Sequence, residues 1–100
     1  MVYRATSGPQ PVAVNGGDGR LNITATTTVK SGQGNLLGIF VASASSSPTI
    51  KVWDNTAASG VVLVNTITPI AATWYPMPFF FLTGLTVDIS GTVDCTVSYS

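Results

Sequence analysis

Apolar and polar residues trade places at almost every step over long stretches of this chain, and that two-residue period confines it to β-structure. In Leu21 to Val29, the residues Leu21, Ile23, Ala25, Thr27 and Val29 fall on one side of an extended strand, while Asn22, Thr24, Thr26, Thr28 and Lys30 fall on the other. Val93, Cys95, Val97 and Tyr99 repeat the pattern near the C-terminus. A helix needs apolar residues every three to four positions, and no segment offers a convincing run of them.

Gly, Pro and Asn clusters cut this pattern into short pieces. Gly8-Pro9-Gln10-Pro11 and Asn15-Gly16-Gly17-Asp18-Gly19 bracket only Val12-Ala13-Val14, so residues 1–19 read as an extended N-terminal arm and residues 20–100 as one folded domain. Ser31 to Asn35 predicts a turn, Leu36 to Ala42 a strand apolar on both faces, and Ala44 to Pro48 a small-residue loop. That two-sided strand is either central or covered by a neighbouring subunit. Thr49 to Trp53 resumes the alternation. Asp54 to Gly60 then predicts a wide hairpin connection, because Asp and Asn bond their own backbone and Gly accepts positive φ. Val61 to Thr68 is β-branched at most positions and ends at Pro69, which signals an edge or an exit. Leu85 to Ile89 and Thr92 to Tyr99, joined by Ser90-Gly91, predict a tight C-terminal hairpin.

Seven to eight short strands without crossover helices predict an all-β fold, an antiparallel β-sandwich of jelly-roll or immunoglobulin-like type. Leu21, Ile23, Val29, Leu85, Val87, Ile89, Val93 and Val97 are its expected core. No repeat of fixed period points to a solenoid. One hundred residues suffice for a single core of this kind without staples.

The charge content narrows the function. Only 8% of residues are charged, against about 25% in an ordinary soluble domain, and there is no His. The four acidic residues are all Asp: Asp18, Asp54, Asp88 and Asp94. General acid–base and His-dependent nucleophilic chemistry lose their usual residues, so the expectation is a protein that is not an enzyme. Arg4, Arg20, Lys30 and Lys51 are dispersed, which argues against nucleic acid as a partner. No metal-ligand spacing and no phosphate-binding loop is present, so no cofactor is expected. Cys95 reads as a small core hydrophobe. Asp88 and Asp94, placed on adjacent strands by the expected hairpin, read as a solvated face, with a weak Ca²⁺ site as the alternative. No membrane partner is expected, because no apolar run reaches the length of a spanning helix and the N-terminus lacks an apolar signal region. A formal net charge of zero favours association with other protein copies.

One segment breaks the alternation: Trp74-Tyr75-Pro76-Met77-Pro78-Phe79-Phe80-Phe81-Leu82 holds more than half of the chain's aromatics. Three readings compete for it. Its Phe residues could cap the open end of the fold. Alternatively, Trp74, Tyr75, Met77, Phe79 and Phe80 could line a subunit interface, since interface cores are poor in charge and rich in aromatics and Met. The third reading is a sugar-stacking platform, which normally pairs an aromatic with carboxylates and amides, and no carboxylate lies nearby in sequence.

The block Lys51-Val52-Trp53-Asp54-Asn55-Thr56-Ala57-Ala58-Ser59-Gly60, then Tyr75-Pro76, then Phe81-Leu82-Thr83-Gly84-Leu85-Thr86-Val87-Asp88-Ile89-Ser90-Gly91-Thr92 and a closing Thr96-Val97-Ser98-Tyr99, resembles small virion proteins of tailed bacteriophages. The resemblance spans residues 51–99. It implies a non-enzymatic structural subunit located in the virion, a capsid decoration (cement) protein that binds the outer head shell and stabilises it. The partners it implies are the major capsid protein or other virion proteins, and further copies of this chain as a homo-oligomer, a trimer by similarity. In this picture the arm, through Val2, Tyr3, Arg4, Pro9 and Pro11, tethers the subunit to the shell. A phage tail, neck or fibre component is the nearest alternative, and a carbohydrate-binding attachment module is the second.

Overall fold

The computed structural model describes residues 19–100, so the proposed arm with Val2, Tyr3, Arg4, Pro9 and Pro11 lies outside the described residues. Every regular element among the described residues is a strand: β1 (Gly19–Ile23), β2 (Thr27–Ser31), β3 (Gly34–Asp54), β4 (Val61–Ile67), β5 (Thr73–Phe81) and β6 (Gly84–Tyr99). All pairings are antiparallel, and hydrogen bonds join the six strands into one sheet.

The frame is a long ribbon of β3 and β6, paired from Leu36↔Tyr99 to Trp53↔Thr86. The first half of β3 carries β5 on its free side and the second half carries β4. β6 likewise carries β2 along its first half and β1 along its last. A straight strand of 21 residues would measure about 70 Å, yet the longest dimension of the molecule is 49 Å, so the ribbon is bent. Ser46 and Ser47 make the bend with φ of 64° and 50°, and residues 46–48 stand opposite the single residue Gly91. Gly91 has φ +84°, and a Cβ there would fall 2.8 Å from Pro48 Cα, so the corner demands glycine twice over. The bend brings the two ends of β3 to one place: Gly34 pairs with Phe81, and Asp54 accepts a hydrogen bond from the Leu82 N–H at 3.0 Å.

Among the described residues there are thus six strands, not seven to eight, because two expected loops are corners inside long strands. Ser90-Gly91 does not close a hairpin; the segments on either side of it each pair with β3. The turn chemistry explains why. Tight two-residue hairpin turns need positive φ at the first central residue, and here Gly91 has it while Ser90 does not. Ala44 to Pro48 is the matching bend of β3 rather than a loop between strands. The expected strand Leu21 to Val29 also divides, into β1 and β2, since β6 turns its corner at Gly91 and no single straight partner can follow both halves.

The inward side chains form one cluster. Leu36, Ile39, Val41, Ile50 and Val52 of β3 meet Leu85, Val87, Val93, Cys95 and Val97 of β6, with Ile23, Met77 and Phe81 closing the sides. Each such aliphatic side chain contributes about 1.5–3 kcal/mol on burial. Val29 and Ile89 are half-buried against this cluster, but Leu21 stands 37% exposed at the rim of edge strand β1 instead of in the core.

Candidate functional site

β5 is an edge strand, as its prolines require: Pro76 and Pro78 have no N–H to give to a second neighbour, and β3 is its only strand partner among the described residues. Alternation separates Tyr75 and Met77 from Trp74 along β5, and so divides the expected interface residues. Met77 points into the core and is 4% exposed, and Tyr75 is half-buried against the core with its hydroxyl accepting from the Ile70 N–H at 2.8 Å. Trp74, Phe79 and Phe80 remain exposed, at 42%, 46% and 52%. The register slips between Leu36↔Phe79 and Gly38↔Pro76, so Met77 and Pro78 together stand opposite the single residue Leu37.

Across the outer face, the ladder aligns one residue from each of four strands: Trp74 of β5 beside Phe40 of β3, Phe40 beside Thr96 of β6, and Thr96 beside Asn22 of β1. Phe40 is 42% exposed, like its neighbour Trp74. The benzo ring of Trp74 covers Gly38 in the next row, where a Cβ would lie 2.5 Å from the indole. At the other end, the Asn22 Nδ2 donates to Asp94 Oδ1 at 2.7 Å and to the Cys95 carbonyl at 3.0 Å, and it lies 3.4 Å from the Thr96 hydroxyl. The face therefore joins an aromatic pair to an amide, a hydroxyl and a carboxylate. Phe40, Asn22 and Asp94 escape a reading of the sequence because they are 18 to 72 positions apart along the chain, and only the strand register makes them neighbours.

A second exposed surface gathers where the ends of β3 meet the β5–β6 turn. Asp54 stands between Val61, its partner on β4, and Leu82, and both of these apolar residues are 66% exposed. Phe79 and Phe80 precede Leu82 at the end of β5 and face opposite sides of the sheet, Phe79 opposite Leu36 and Phe80 opposite Asn35. No charged residue occurs between Asp54 and Asp88, a span that includes all of β4 and β5. Asp54 itself serves the fold. Burial pushes its carboxyl up, but N–H donors from Leu82, Thr83 and Gly84 at 2.8–3.3 Å outweigh this and hold it below the usual carboxylate value.

The other two Asp among the described residues are separated. Asp88 lies in the first half of β6 opposite Lys51, and accepts from the Thr26 hydroxyl at 3.0 Å and from Trp53 Nε1 at 3.3 Å; the Lys51 ammonium sits 4.4 Å from the centre of the Trp53 ring. Asp94 lies beyond the Gly91 corner with Asn22. The two therefore do not face each other across a hairpin, and the expected pairing of their carboxylates does not occur. Among the described residues, no three His, Cys, Asp or Glu gather closely enough to hold a metal ion. Cys95 is fully buried and free, and burial, then the neighbouring Asp94 charge, pushes its thiol up to about 11.

No protein-family model, curated protein or solved structure matches this chain. No helix among the described residues is long and apolar enough to cross a membrane.

Proposed function

We propose that this protein is a non-enzymatic structural subunit of a virion, a decoration protein that binds the outer head shell and stabilises it through protein–protein contacts. The observation that carries this reading is the exposure of Val61, Phe79, Phe80 and Leu82 on β4, β5 and the turn that follows, elements with no charged residue of their own, beside the Asp54 carboxylate and the Lys30 ammonium at the end of the sheet. Exposed aromatic and aliphatic residues with few charges among them have the composition of an interface core. The fold suits the role if read as a β-sandwich made by folding one ribbon over itself: the fully buried side chains of both ribbon halves need cover, and the meeting of Gly34, Phe81, Asp54 and Leu82 at one end supports that arrangement. The partners are then the major capsid protein and further copies of this chain, and avidity over many lattice sites makes up for a small contact per copy.

Gold-labelled antibody on virus particles purified from cells that make the protein tests the reading. Label over the head shell is the expected result. Label confined to the tail or neck would move the protein to that structure, and its absence from particles would end the virion reading. Phe80→Ser with Leu82→Ser should reduce its retention on shells while leaving the fold intact.

A further inference from the structure

We infer that the outer face of β5, β3, β6 and β1 is a binding site for an uncharged oligosaccharide, with Trp74 and Phe40 as the stacking platform and Asn22, Asp94 and Thr96 as the polar contacts. The inference is independent of shell binding and uses a different set of residues.

Sugar recognition asks for two things on one surface: an aromatic plane against the C–H face of a pyranose, and donors and acceptors for its hydroxyls. The ladder supplies both in a single row. Trp74 and Phe40 are cross-strand partners, both 42% exposed. An aromatic pair buried elsewhere would be core, but this one points away from Ile39, Val41 and Tyr75, which face the core. Gly38 makes room for the indole, since any side chain at that position would collide with its benzo edge. Next in the row come the Thr96 hydroxyl and the Asn22 amide, and the Asn22 amide is oriented by Asp94 at 2.7 Å. Holding the amide in place lowers the ordering cost that a sugar hydroxyl would otherwise meet. Asp94 keeps a second carboxylate oxygen able to accept from a hydroxyl.

Four strands at about 4.8 Å spacing give the row a length of about 14 Å, the reach of a short oligosaccharide and not of a single ring. Among the described residues, the charges on the strands around this row are Arg20 on β1 and Asp94 on β6, of opposite sign, which offer no net attraction to a polyanion. That balance selects a neutral saccharide.

The test applies the full-length protein to an array of immobilised oligosaccharides with glucose, galactose, mannose, rhamnose and N-acetylhexosamine termini, followed by Trp fluorescence titration with the best-retained sugar in solution. Saturable binding is expected. Trp74→Ala and Phe40→Ser should each weaken it about tenfold or more, and Asn22→Ala several-fold, with unfolding midpoints measured to confirm that each variant is folded. Leu82→Ser should bind sugar as the unchanged protein does, which separates this site from the shell contact. No retention of any sugar on the array, or undiminished binding by folded Trp74→Ala, overturns the inference. Neither result bears on whether the protein labels head shells.

Discussion

The benzo edge of Trp74 occupies the space in which a Cβ on Gly38 would sit, 2.5–2.6 Å from that position, and the Tyr75 carbonyl approaches it equally closely at 2.5 Å. Gly38→Ala is therefore expected to destabilise the protein by about 1–3 kcal/mol. The double variant Gly38→Ala with Trp74→Ala should recover only part of this, because the Tyr75 carbonyl remains in the way. Urea unfolding of the two single variants and the double variant checks the partition. Full recovery in the double variant would mean that the ring alone sets the constraint.

Asp54 closes the end of the molecule through three backbone donors, and its contribution depends on pH in a defined direction. Its folded carboxyl lies below the ordinary value of 3.8, to which it returns on unfolding. The stabilisation is therefore complete at neutral pH, declines as pH falls through about 4, and is lost below the folded value. Asp54→Asn should cost about 1–2 kcal/mol at pH 7 and should flatten the acid side of the stability profile. Chemical denaturation at several pH values between 2 and 7 gives both readings.

Cys95 should behave as an inert thiol in the native state. With no exposed surface and a thiol pushed up to about 11, it should react with an aromatic disulfide reagent at pH 8 only as fast as the protein opens. Reaction should become rapid in denaturant. Fast labelling of the folded protein would show that β6 opens locally around the site where β1 covers it.

Gly91 should be the least replaceable residue of β6. Gly91→Ala meets positive φ and close approach to Pro48 and Ser46 together, for an expected loss of about 2 kcal/mol or more. Gly32 has φ +89° with nothing near its Cβ position, so Gly32→Ala isolates the backbone part of that loss. The difference between the two variants in thermal unfolding measures the steric share.

The sequence carries the strand content well, because a two-residue period survives whatever the strands pair with. Leu85, Val87, Val93 and Val97 are buried where alternation puts them, and Pro76 and Pro78 lie on an edge strand as proline chemistry requires. What local signals miss is pairing. Ser90-Gly91 is a break in direction, and its residues alone do not say whether the chain doubles back on itself or turns a corner beside β3. Of the five residues expected at an interface, alternation could have assigned Met77 to the core, since it falls in step with Tyr75 on β5. Phe40, Asn22 and Asp94 lacked any such cue, because residues on three strands become one surface only through register.

The two ends of the bent ribbon differ in how much chain they close. Trp53 and Thr86 are 33 residues apart in sequence, whereas Leu36 and Tyr99, at the other end of the same ladder, are 63 apart. Joining the distant pair first from an open chain would cost about 0.6 kcal/mol more in lost freedom, so closing this ladder from the Asp54 end toward Gly91 is the less costly of the two directions. There it must skip from Thr49↔Ser90 to Ser45↔Thr92 before it can continue. The row that joins Trp74 to Asn22 lies wholly beyond that skip, so it depends on the pairings that close the longer stretches of chain.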